Sequence, residues 1–401
     1  MKIWAAAFVV SALATGTAAY AVGELDAVLG KALFERDWVP ALASTDAADG
    51  LGPLFAARSC AGCHVGEALA ARFTDAPEGR IAGRGVVMRF GDEAGRPDPR
   101  YGRQLQTQAV QGMVPEGRMV LTAPAEGESG YGVDLVLEHG GLDAATRQSL
   151  RIAPPLVGRA MLEKIDPAAV MALADPDDHD GDDISGRARL VETETGEALG
   201  RYGWKAATAG LEEQVADAFA VDLGLSSRLR PHPHGDYTLQ SDCTGAPTGE
   251  SDLLGGRELS DEMVEVVAAF VASLGMRAAP AEAAPGAETF AAAGCAACHV
   301  PGLPAEGGGT AAAYTDLLLH DMGEALDDGV GEPGAASSEW RTAPLIAMLS
   351  GDGRRYLHDG RAATIDAAIR AHGGEADAAR QRYLALGAEE RAALIQFVEA
   401  L

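Results

Sequence analysis

Basic residues are scarce in this chain. Lys and Arg total 32 against 59 Asp and Glu, a formal net charge of −27 over 401 residues. So acidic a surface repels polyanions, which argues against nucleic acid and anionic membranes as partners. It would steer a cationic partner instead, and adaptation to a salty habitat is the alternative. Long apolar runs are missing too. After the first twenty-one residues no stretch reaches the ~18 apolar residues of a spanning helix, so the mature chain is expected to have no stable membrane span. Cysteine is sparse, five residues in all, which makes its placement informative. The hydrophobic content of 47% is ordinary for a globular protein.

Four of the five cysteines fall in two copies of one pattern, Cys60-Ala-Gly-Cys63-His64 and Cys295-Ala-Ala-Cys298-His299. Each copy reads as a covalent attachment site for haem c. The two thiols can add to the haem vinyl groups, and the adjacent His is placed to bind iron. A zinc site built from two Cys pairs would not need a His directly after each pair. Two covalently bound haems are therefore the expected cofactors, held by Cys60, Cys63, His64, Cys295, Cys298 and His299. Cys243 is left over and reads as a small, partly buried thiol.

Residues 1–21 resemble a secretory signal: Lys2, an apolar core over residues 3–13, and the small-x-small site Ala19-Tyr20-Ala21; an uncleaved membrane anchor is the alternative. The expected location is the periplasm, which agrees with haem c attachment. Residues 277–287 are rich in Pro and Ala and read as a linker. The expected division is 1–21 signal peptide, 22–276 first haem domain, 277–287 linker and 288–401 second haem domain.

Features repeat on either side of the linker. Leu54-Phe55-Ala56-Ala57-Arg58 and Glu288-Thr289-Phe290 are each read as the end of an amphipathic helix before the Cys motif. Arg151-Ile152-Ala153-Pro154 answers Arg341-Thr342-Ala343-Pro344. Each half closes on an acidic-capped apolar helix, after Leu259-Ser260-Asp261-Glu262 and after Gly387-Ala388-Glu389-Glu390. The expected fold is mainly α: two cytochrome c-like haem domains with long loops, the N-terminal one enlarged by insertions.

The segments Tyr356-Leu357-His358-Asp359-Gly360-Arg361-Ala362, Thr315 to Gly323 and Glu339 to Pro344 are similar to the bacterial diheme cytochrome c peroxidases and MauG-type enzymes. More closely, they resemble the related di-haem oxidoreductase family. In the peroxidases a Met fourteen residues past the His of His-Asp-Gly ligates the second haem, and in the MauG-type enzyme a Tyr stands there. Fourteen past His358 is His372. The resemblance thus implies a second haem held by His299 and His372. A His capping the helix end is the alternative. The resemblance also makes Trp204 the candidate electron relay between haems, and Gln214, ten residues on, a candidate hydrogen-bond donor at the peroxide site. A Trp packed in the core and a Gln on a solvated helix face are the plain alternatives. The peroxidases' catalytic Glu would fall at Gly224; Asp222 is the nearby acid–base candidate.

The first haem has no clear distal ligand. Met88, Met113, Met119, His139, His232 and His234 are the candidates, and an open iron is the preferred expectation. The resemblance implies a peroxidase-type oxidoreductase that takes electrons from a small cytochrome or cupredoxin and reduces hydrogen peroxide at the first haem. An electron-transfer cytochrome without substrate and a MauG-like oxidation of a partner protein are the alternatives. Finally, Asp178, Asp180 and Asp182 alternate in an acidic loop and could converge on a Ca²⁺, although the rest of an EF-hand pattern is absent and a solvated acidic turn is the alternative.

Overall fold

A computed structural model describes residues 23–43, 49–66, 69–77, 80–123, 130–236, 240–275, 284–348 and 353–401. The expected leader and linker residues 277–283 lie outside them. No helix among the described residues is long and apolar enough to cross a membrane.

The expectation of a mainly helical chain is overturned. Helix accounts for 29% of residues and strand for 21%, spread over several small sheets. The first half holds most of the strands. Arg72–Asp75, Arg80–Arg84, Gly117–Thr122 and Gly132–Leu137 form a four-stranded antiparallel sheet. Val86–Gly91 pairs with Arg147–Ile152, Val86 opposite Ile152 and Gly91 opposite Arg147. Alternating Val133 and Leu135 turn one face of the sheet onto Met88, Phe90, Tyr101 and Leu105, while the other face meets water.

The residues before the first Cys motif are also not helical. Leu54–Phe55 is a two-residue strand paired with Gln108–Ala109. The helix that packs beside this motif is instead Glu24–Glu35, which lies against Asp261–Ser273 and brings Phe34 within 5.1 Å of Phe270, edge to face. Gly30 makes that approach feasible, since a Cβ there would sit 1.7 Å from the Val266 carbonyl oxygen. Gly30→Ala should therefore force the helices apart and cost at least about 1–3 kcal/mol, as overpacking does; an unchanged urea midpoint would count against this packing.

Asp261–Ser273 starts as its sequence suggests: the Ser260 hydroxyl accepts from the Met263 amide, with Asp261 and Glu262 in the first turn. In the second half, Ala287–Ala292 packs on Ala388–Ala400 through Phe290 and Phe397, 5.4 Å apart.

Basic side chains of the first half grip residues 327–341 of the second. Arg151 pairs with Asp328 at 2.8 Å, Arg189 with Glu332 at 2.9 Å, and Arg187 with Glu339. Lys205, fully buried, donates to the carbonyls of Ala336, Ser337 and Glu339.

Candidate functional site

At the second motif, Gly294 reverses the chain at φ +85° and a single turn carries Cys295–Ala297. Cys295 and Cys298 are half-buried, and neither is in a disulfide. They border a cavity of about 500 Å³ whose wall includes Phe290, Leu345, Ile365, Ile369, Leu394 and Val398. His299 and His372 both reach this wall. The ring of each is oriented through Nδ1, His299 on the Tyr314 carbonyl at 3.2 Å and His372 on the Ala368 carbonyl at 2.8 Å. A proton held at Nδ1 leaves the lone pair at Nε2. Burial keeps both rings neutral, and for His299 burial and then the neighbouring His372 push the pKa down to about 4. Two neutral imidazoles on an apolar slot beside two thiols suit a haem.

His320 is of another kind. Its ring pairs with Asp316 at 2.9 Å and Glu375 at 2.7 Å, using both nitrogens. Burial opposes its charge, but hydrogen bonds from its ring to Asp316, Cys298 and Glu375 outweigh it and raise the pKa to about 12. His358 stacks on Trp340, centroids 3.8 Å apart and 6° from parallel.

At the first motif, Cys60–Cys63 is one helical turn. The His64 Nδ1 pairs with the Leu69 carbonyl at 2.9 Å, its ring packs 6.2 Å from Phe34, and the Pro154 carbonyl is a second partner. A cavity of about 450 Å³ opens at Cys63, bordered by Arg84, Gly85, Leu105, Gln108 and Met119. The donor set of two thiols followed by an imidazole again suits a haem. Of the candidate distal ligands, only Met119 borders this cavity. Met88 is core, Met113 packs with Leu54 and Cys243, and His139 pairs with the Val114 carbonyl. His232 is exposed, and His234 pairs with the Ala246 carbonyl.

Asp222 comes close to this motif, although neither it nor His64 borders the Cys63 cavity. It sits in a single π-helical turn, Phe219–Leu223, and its carbonyl accepts from the Ala56 and Ala57 amides. Turns of this kind often mark functional positions. Its carboxylate accepts from Gln104 at 2.7 Å, while burial raises its pKa. Burial and then the Asp222 charge push the Cys60 and Cys63 thiols up to about 12. The structure also explains why position 224 carries no acid. Gly224 has φ +75°, and a Cβ there would lie 2.9 Å from the Gly52 Cα.

Trp204 lies on the wall of the second cavity. Its indole N–H donates to the Ile152 carbonyl at 2.9 Å, and its carbonyl accepts from the Arg341 amide. It packs in one cluster with Ala71 and Ile152, just past the segment that orients His64. Both Arg-x-Ala-Pro segments meet at this wall. Gln214 does not reach the Cys63 cavity. Its Oε1 accepts from the Thr208 hydroxyl at 3.2 Å, beside Gly203. Asp178, Asp180 and Asp182 do converge, with one carboxylate oxygen of each within 4.8 Å of the others. Exposed acidic groups often gather so without an ion, and the amides of Asp182 and Ile184 already donate to these oxygens.

Sequence reading named Met119 as one candidate among six but missed Gln104, Arg159 and Arg354. Nothing local in the sequence sets them apart.

A family profile described as di-haem oxidoreductase, putative peroxidase, matches residues 136–401. That span holds the second motif, Trp204, Gln214, Asp222 and His372, and starts after the first motif. No curated protein matches the chain.

Proposed function

The chain belongs to the di-haem oxidoreductase family, and from that premise we propose that it is a periplasmic peroxidase-type enzyme with two covalently bound haems. Electrons would enter at the second site from a small cytochrome or cupredoxin, and hydrogen peroxide would be reduced at the first. The observation that carries this reading is the asymmetry of the two cavities. One has two neutral imidazoles on its wall. Among the described residues no imidazole borders the other, which Cys63 and Met119 line, with Asp222 buried close enough to raise the Cys60 and Cys63 thiol pKa values.

Bound haem supplies one-electron exchange at iron. The chain holds, orients and handles protons. Cys295, Cys298, His299 and His372 would hold one group, and Cys60, Cys63 and His64 would hold the other. Reduction of a peroxide to two waters takes two electrons and two protons. One proton must also move from the attacked oxygen to the departing one, a task for a positioned carboxylate. Asp222 is the group for it, oriented by the Gln104 amide. Trp204 lies between the His64 segment and the second cavity, where a relay belongs. Gln214 supports the Trp204 turn in this reading, rather than touching peroxide. The acidic surface suits a cationic donor.

Met119 favours a second reading, an electron-transfer protein with both irons capped. Electron paramagnetic resonance of the ferric and half-reduced protein separates the two. A high-spin signal consumed by peroxide is expected. Low-spin signals alone, unmoved by peroxide in both states, would replace the enzyme reading with the carrier.

A further inference from the structure

The wall of the second cavity carries an excess of buried positive charge. Arg159, Arg341 and Arg354 all border it, and each is at most 8% exposed. They are close enough to act on one another electrostatically. Burial and then Arg341 push the Arg159 pKa down to about 9, with Arg354 adding to the effect. Among the described residues, none of the three pairs with a carboxylate. Arg159 donates through Nε to the Pro155 carbonyl, Arg341 to the carbonyls of Gly203 and Thr342, and Arg354 to that of Ala347.

Other buried arginines are settled differently. Arg151, which opens the matching Arg-x-Ala-Pro segment, meets both Asp328 and Glu332. Arg201 spends Nε, Nη1 and Nη2 on three carbonyls. At the cavity the Arg159 Nη1 and the Thr342 hydroxyl are buried with no partner among the described residues; Nε of Arg189 and of Arg257 are in the same position elsewhere, but only Arg159 and Thr342 of these border the cavity. The buried Asp316 charge acts on Arg341 without pairing with it, and a buried guanidinium without a paired counter-charge is costly, as is an orphaned donor. Their placement on one cavity wall calls for an anion with several acceptor oxygens.

We propose that Arg159, Arg341, Arg354 and the Thr342 hydroxyl form a carboxylate receptor for the two propionates of the haem in the second cavity. Planar guanidinium groups match carboxylates by geometry as well as charge. The receptor would fix which edge of the haem faces the first half of the chain. Arg159 also bears electrostatically on His64, so its charge is felt at both motifs. This inference rests on the two-haem reading above.

The test uses holoprotein with two haems per chain, counted as pyridine haemochromes. In the wild type, paired propionates should stay ionised, and the second haem's midpoint potential should be flat between about pH 5.5 and 8. Arg159→Gln and Arg341→Gln should each introduce a slope approaching about one proton per electron in that window, as a released carboxyl begins to titrate. Arg341→Lys, which keeps the charge, should restore much of the flat profile. Two glutamine variants that keep both haems and follow the wild-type profile would overturn the proposal. So would saturable perturbation of the wild-type spectrum by inorganic phosphate that is lost in Arg341→Gln, because the arginines would then be receiving an external anion. The haem count keeps this failure distinct from failure of the functional reading.

Discussion

Asp222→Asn should lower peroxide turnover by about 10²–10⁴-fold, the usual contribution of a positioned acid–base group. The substitution keeps an oxygen for the Gln104 amide and the backbone bonds to Ala56 and Ala57, so the π-helical turn should survive. The pH dependence carries a sign. Burial raises the Asp222 pKa, although the Gln104 bond and the Arg89 charge resist the rise. A base must be ionised before it can take a proton. Wild-type turnover should therefore climb as pH rises through the elevated Asp222 pKa, and the variant should lack that limb. Stability runs the other way. The folded state binds the Asp222 proton more tightly than the unfolded state does, so this group's contribution is full at low pH and is lost as pH rises through the folded pKa. Steady-state rates with a reduced small cytochrome, measured against pH, provide the check. A rate and profile matching the wild type would remove Asp222 from the chemistry.

His372→Met should shift the second haem's midpoint potential upward by a sizeable part of the ~0.8 V range that axial ligands command. The argument rests on the ring's two nitrogens. Nδ1 donates to the Ala368 carbonyl at 2.8 Å, where the helix Ile365–Arg370 ends and carbonyls need partners. Capping and ligation thus use different atoms of one side chain. Loss of the cap alone would lower thermal stability modestly and leave the potential where it was. A redox titration that finds an unmoved midpoint would reduce His372 to a cap.

What the sequence revealed follows from how far apart the interacting residues lie. The two Cys motifs are contiguous, so their chemistry was readable at once. The helix Asp261–Ser273 was readable because its cap, Ser260, is adjacent. Leu54–Phe55 was misread because its partner, Gln108–Ala109, lies more than fifty residues on and no local pattern marks the pairing. The four-stranded sheet was hidden for the same reason, its strands being short and separated by loops. Arg159 and Arg354 matter through the cavity they border, and a cavity is a property of the folded chain.

The contact between Gly52 and Gly224 has an evolutionary consequence. The positions are coupled: a side chain at 224 meets the backbone at 52, and the positive φ at 224 penalises it again. No single codon change can place an acid at 224 without strain, since the loop carrying Gly52 must move first. Any route to an acid there passes through a destabilised intermediate, so the contact acts as a barrier that keeps the acid role away from this position.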